Sequence, residues 1–226
     1  MTVTLRVPPK PITLYSYINC PWAARTWIAL VQANVEFEYV EIDLRNKPEW
    51  FLREINPDGK VPVLKYGDDL IVESAVTTEL IADLFPKELY LADPFAKAQS
   101  KLMSDRFMEL VFPFYRNAVF NSKLEEFSNV FTAIDKFLPY LHTPKPFFGG
   151  SDHPTLSEIM IAPFISRLYL LLESEYVSKE IYAKLSSDVK YKVFHDWALA
   201  ILASPGVANT FDKASNAKGL AYYIKK

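Results

Sequence analysis

The only cysteine among the 226 residues, Cys20, is followed at once by a proline in Asn19-Cys20-Pro21-Trp22-Ala23. A free cysteine alone is usually a small buried hydrophobe. This one lies between a short apolar run and the opening turn of a helix, where unpaired backbone N–H groups and the helix dipole favour an anion. That position predicts a pKa lowered from about 8.5 into the range of roughly 3.5–7.5, and a nucleophilic thiolate near neutral pH. Ala23 stands where a dithiol motif would carry its second cysteine, so a redox cycle at Cys20 needs an outside thiol to resolve it.

Two further stretches point to chemistry. In Lys60-Val61-Pro62-Val63, which follows Pro57-Asp58-Gly59, the proline cannot donate to a sheet ladder, so an edge strand or a bend is implied. Trans is the ordinary isomer; a cis bond would turn the Val61 backbone outward. Glu73-Ser74 opens a helix, with Ser74 as its cap. The pair reads either as a plain cap with an acidic neighbour or as a carboxylate-binding helix start, with Glu73 accepting from an ammonium group.

The elements that must position these residues follow from local pattern. Strands are predicted at 12–17, 37–44, 60–66 and 70–73, the last two joined by a polar turn at Gly67–Asp69. A helix starts at Pro21 and ends at Asn34, and another runs from Ser74 through Phe85. The order is β-α-β then β-β-α until Pro86, after which nearly every window has a period near 3.6. Helices are predicted around Leu102–Phe114, bent or ended near Pro113, and around Phe127–Leu141, Asp152–Leu172 and Asp188–Ala203. The third is apolar almost all round, as a central buried helix would be, and opens with Thr155-Leu156-Ser157-Glu158 at capping-box spacing. The expected organisation is an α/β domain over 1–86, a linker over 87–94 and an all-helical domain over 95–226.

Composition narrows the function. Half the residues are hydrophobic and 15% aromatic, which excludes a disordered chain. A net charge of −2 from 25 basic and 27 acidic residues leaves no basic footprint for nucleic acid. No apolar run reaches the roughly 18 residues of a membrane span, and the N-terminus lacks a signal-peptide core, so a cytoplasmic protein is expected. His142, His153 and His195 are scattered without metal-ligand spacing, so no metal is expected.

Taken together, Cys20-Pro21-Trp22-Ala23, the Leu44–Phe51 stretch with Asn46-Lys47-Pro48-Glu49-Trp50, Asn56–Leu64, and Glu73-Ser74-Ala75 resemble the cysteine-type glutathione transferases, most closely the omega class. Lambda-class proteins and glutathionyl-hydroquinone reductases are near relatives; the latter share a tryptophan at the position of Trp22. The resemblance extends to the 149–168 stretch and so covers essentially the whole chain. It implies a thioredoxin-like N-terminal domain, an all-helical C-terminal domain, glutathione as co-substrate and a homodimer.

By the same resemblance Cys20 is the catalytic thiol. Lys47 holds the glycyl carboxylate of glutathione, Val61 before a cis Pro62 pairs with its cysteinyl backbone, and Glu73 with Ser74 grips its γ-glutamyl group. Trp22 and Lys60 join the glutathione site, while Arg167 and Trp197 fall in the second-substrate pocket. The implied activity is a glutathione-dependent thiol transferase and dehydroascorbate reductase acting on small electrophiles and disulfides.

Two alternatives stay open. One is a conjugating transferase using Tyr15 or Tyr17. The other is a non-catalytic carrier whose pocket is lined by aromatics such as Phe112, Phe114, Tyr115, Phe120 and Tyr169.

Overall fold

The computed structural model describes residues 5–121, 123–142 and 146–224. The first four residues of the expected N-terminal domain and the last two of the helical one lie outside the described residues. A four-stranded sheet is built from β1 (Ile12–Ser16), β2 (Glu38–Glu41), β3 (Val63–Tyr66) and β4 (Asp69–Val72) in the order β2-β1-β3-β4. β1 and β2 are parallel, whereas β3 runs antiparallel to both β1 and β4. Between β1 and β2 lies α1 (Pro21–Gln32), and α2 (Ser74–Leu84) follows β4. This is the thioredoxin-like arrangement that the resemblance implies.

Local chemistry explains most of the boundaries. Pro21 occupies the first helical position of α1, where its missing N–H costs nothing. Just past the end of that helix Asn34 takes a left-handed φ of 55°. β3 and β4 pair from Val63↔Val72 to Tyr66↔Asp69, and Gly67 turns the chain at φ 65°. The predicted third strand is shorter than expected: Lys60, Val61 and Pro62 precede the ladder, because proline has no N–H to give. Ser74 is not the cap of α2. Glu73 holds the cap position, at φ 70°, and Ser74 is the first helical residue.

The rest of the chain is helical. After the short α3 (Pro86–Leu89) come α4 (Pro94–Leu110) and α5 (Phe112–Phe120), separate helices because Pro113 cannot continue the ladder of α4. They are followed by α6 (Val130–Phe137), α7 (Leu156–Leu172), α8 (Lys179–Ser187), α9 (Val189–Ala203), α10 (Pro205–Ala208) and α11 (Lys213–Ile224).

α7 is buried around nearly its whole circumference and packs on α1, α2, α4 and α9, so it is the axis of the molecule. Its start is tied down by Glu158. One oxygen of that buried carboxylate accepts from the Thr155 N–H at 2.7 Å, and the other from the Phe148 N–H at 2.8 Å and the Trp197 indole N–H at 2.9 Å. Burial pushes the Glu158 carboxyl up, against the pull of these donors.

That bond corrects the position expected for Trp197. The ring is 2% exposed, packs among Phe107, Phe137 and Phe194, and spends its only donor on Glu158. It is a core residue and borders neither of the cavities described below.

Candidate active site

Cys20 ends the β1–α1 connection, half-buried at the mouth of α1. Its thiol faces the carbonyl of Val61 at 4.0 Å. The cis Val61–Pro62 bond, supplied by the segment before β3, therefore lies directly across from the sulfur. A cavity of about 580 Å³ opens here, bordered by Cys20, Trp22, Lys47, Lys60, Val61, Pro62, Glu73 and Ser74. The structure thus gathers every residue expected to hold glutathione around one thiol.

The supporting contacts are specific. Asn56, buried, donates its amide to the Lys60 carbonyl at 2.9 Å and accepts the Asp58 N–H at 3.1 Å, which fixes the loop before Val61. Gly59 has φ 64°, a left-handed conformation that favours glycine, and the Lys47 side chain lies over it, its ammonium nitrogen 2.8 Å from where a Cβ would stand. Lys47, Lys60 and Glu73 are exposed on the rim, whereas Val61 and Ser74 are buried in the floor. Charged ends of a ligand would meet the rim and its backbone the floor.

In the sequence Arg25 reads as one polar position on an amphipathic helix. In the fold it is buried between the two domains. Its Nε donates to the Met160 carbonyl of α7 at 2.7 Å and an Nη to Ser74 Oγ at 3.3 Å, and its guanidinium stacks 4.6 Å from the Trp22 ring. Burial lowers its pKa to about 10, so it remains charged at neutral pH.

A second cavity, of about 620 Å³, lies on the other side of Trp22 and is lined mainly by α5, α7 and α11. Arg167 borders it, 6% exposed, donating to the Asn19 carbonyl at 3.0 Å and the Pro163 carbonyl at 2.9 Å. Of the aromatics considered for such a pocket, Phe112, Tyr115 and Phe120 line it, and Phe114 and Tyr169 do not. The Tyr169 hydroxyl instead pairs with His195 Nδ1 at 3.0 Å in the core. Tyr15 packs on Trp50 and Phe51, the Tyr17 hydroxyl accepts from Asn19, and neither tyrosine lines the Cys20 cavity.

The N-terminal domain model of the glutathione S-transferases matches residues 14–89. Glutathione S-transferase omega-1 of Mus musculus is 34% identical over 171 residues, 73% of this chain and 70% of the relative. The chain belongs to the omega-class glutathione transferases. Omega-1 of Sus scrofa is 32% identical over 210 residues, covering 89% of this chain and 81% of the relative. The crystal structure of glutathione transferase Omega 1C from Trametes versicolor shares the fold at a TM-score of 0.84 and 29% identity, over 96% of this chain and 98% of that one. Like its relatives, this omega-class enzyme is a glutathione transferase whose co-substrate is glutathione.

One expectation fails at the thiol itself. Burial is the largest influence on Cys20 and pushes its pKa up; the Ala23 and Trp22 N–H groups and the Arg167 guanidinium pull it down without overcoming burial. The helix start and the cation are where an anion wants them, but desolvation outweighs them in this omega-class site.

Proposed function

We propose that this omega-class glutathione transferase is a thiol transferase and reductase working through a mixed disulfide at Cys20. The observation that carries the reading is the Cys20 thiol facing the Val61 carbonyl, in a cavity that Lys47, Glu73 and Ser74 also border. In this reading Lys47 takes the glycyl carboxylate of glutathione, Val61 pairs with its central backbone, and Glu73 and Ser74 hold the γ-glutamyl end. Trp22 and Lys60 complete the wall. Arg25 is a positioning residue that orients Ser74.

The Cys20 thiolate attacks the glutathione sulfur of a substrate disulfide. The S–S bond breaks, the other thiolate leaves with its electron pair, and Cys20 carries glutathione. A second glutathione, as thiolate, then attacks that sulfur and departs as oxidised glutathione, returning Cys20. Dehydroascorbate reduction draws its two electrons from the same pair of glutathione thiols.

A thiol whose pKa lies above the working pH is only partly ionised, but its thiolate is a stronger nucleophile than that of an acidic thiol. The reading extends to a cytoplasmic homodimer, which size-exclusion chromatography against the monomer mass of 25.9 kDa tests.

The direct assay is glutathione-dependent reduction of hydroxyethyl disulfide by wild type and Cys20→Ser. Loss of at least 100-fold in the variant is expected on the order of magnitude of nucleophile removal. Activity indifferent to the substitution would remove Cys20 from the mechanism.

A further inference from the structure

The cavity beyond Trp22 carries a charge pattern that packing does not require. One face of α5 presents Phe112, Tyr115, Arg116 and Val119 to it, at the i, i+3, i+4, i+7 spacing of a helical stripe. A cation in the third place of an otherwise apolar stripe is out of keeping with a wall that only excludes water. Arg167 enters the same cavity from α7, and no aspartate or glutamate among the described residues lines it.

The two arginines differ in what they have left to give. Arg167 is committed to the Asn19 and Pro163 carbonyls. Arg116 is exposed and has no acidic partner among the described residues. Trp22, Phe112 and Phe164 form an edge-to-face cluster with centroids 4.7–6.4 Å apart on the Cys20 side. At Gly219 on the α11 wall a Cβ would meet nothing within 4 Å, so that part of the wall is open.

Resting on the Cys20 reading above, we propose that this cavity selects glutathionylated aromatic acids, the aromatic ring lying against Trp22 and Phe112 and the acid group paired with Arg116. Glutathione occupies the cavity at Lys47 and Glu73, and the leaving aryl thiolate crosses Trp22 into the neighbouring one. A planar guanidinium suits a carboxylate or sulfonate through two parallel N–H bonds, which a lysine cannot reproduce. The step is the same exchange: Cys20 sulfur bonds to the glutathione sulfur, and the arylthiolate leaves with the electron pair of the broken S–S bond.

The test compares two coloured leaving groups, using the mixed disulfides of glutathione with 5-thio-2-nitrobenzoate, which bears a carboxylate, and with 4-nitrothiophenol, which does not. The expected result is a ratio of kcat/KM, acid over neutral, that falls about tenfold in Arg116→Ala through KM, is partly kept in Arg116→Lys and inverts in Arg116→Glu. Raising ionic strength should lower the ratio in wild type and leave it flat in Arg116→Ala. A ratio unchanged by Arg116→Ala, or lost only in Arg167→Ala, would overturn the proposal while the Cys20 mechanism stood. Turnover of neither disulfide, or turnover surviving Cys20→Ser, would sink the Cys20 reading and this one with it.

Discussion

At Glu73 the backbone is held at φ 70° and ψ 116°, a region that non-glycine residues avoid at a cost of about 1–3 kcal/mol. The carboxylate on the cavity rim is the compensation in the proposed function. Glu73→Gly separates the two effects: stability in urea is expected to rise by about 1 kcal/mol, after glycine's own entropy cost, while KM for glutathione rises about tenfold. A destabilised variant with unchanged KM would contradict both halves.

Cys20 yields a prediction of opposite sign to the one its position alone suggests. Because burial raises its pKa, alkylation by iodoacetamide in the free protein should keep climbing with pH beyond the ordinary thiol value of about 8.5 and level only above it. Arg167 pulls the other way, so Arg167→Met should move the profile to still higher pH. A profile that levels well below 8.5, or one indifferent to Arg167, would count against this balance of burial and charge.

The helices show what one-dimensional pattern can and cannot reach. The apolar circumference of α7 marks it as the central element, and Glu158 three residues after Thr155 marks its start. The indole of Trp197, 39 residues away, satisfies that same carboxylate, a long-range pairing that no local spacing encodes. Trp197→Phe should therefore cost about 1–3 kcal/mol of unfolding free energy, since a buried carboxylate loses a donor, and leave KM for both substrates unchanged. A shifted second-substrate KM at wild-type stability would return Trp197 to the pocket.

The same distinction divides the site. Cys20-Pro21, Val61-Pro62 and Glu73-Ser74 are legible because each sits at a junction whose backbone chemistry is local. Arg25 and Arg116 are not, because a cation on an amphipathic helix looks the same whether it faces solvent, a domain interface or a cavity. The raised thiol pKa escaped for a related reason: helix position is readable from the sequence, and desolvation is not.

On the scale of the whole molecule, two cavities of about 580 and 620 Å³ meet at Trp22, one mostly from the sheet domain and one mostly from the helical domain. Arg25 holds the junction closed by bonding Ser74 on one side and Met160 on the other. Arg167 does the same through Asn19, the residue before the thiol. In the proposed function glutathione and its partner group take separate compartments, with Trp22 between them and Cys20 lining the first.

The most direct test is intact-protein mass measurement after exposure to a glutathione disulfide and then to reduced glutathione. The account predicts one glutathione gained per chain, carried on Cys20, released as oxidised glutathione in the second step and absent from Cys20→Ser. An unmodified wild-type chain that nevertheless turns over substrate, or an adduct that reduced glutathione does not discharge, would contradict it.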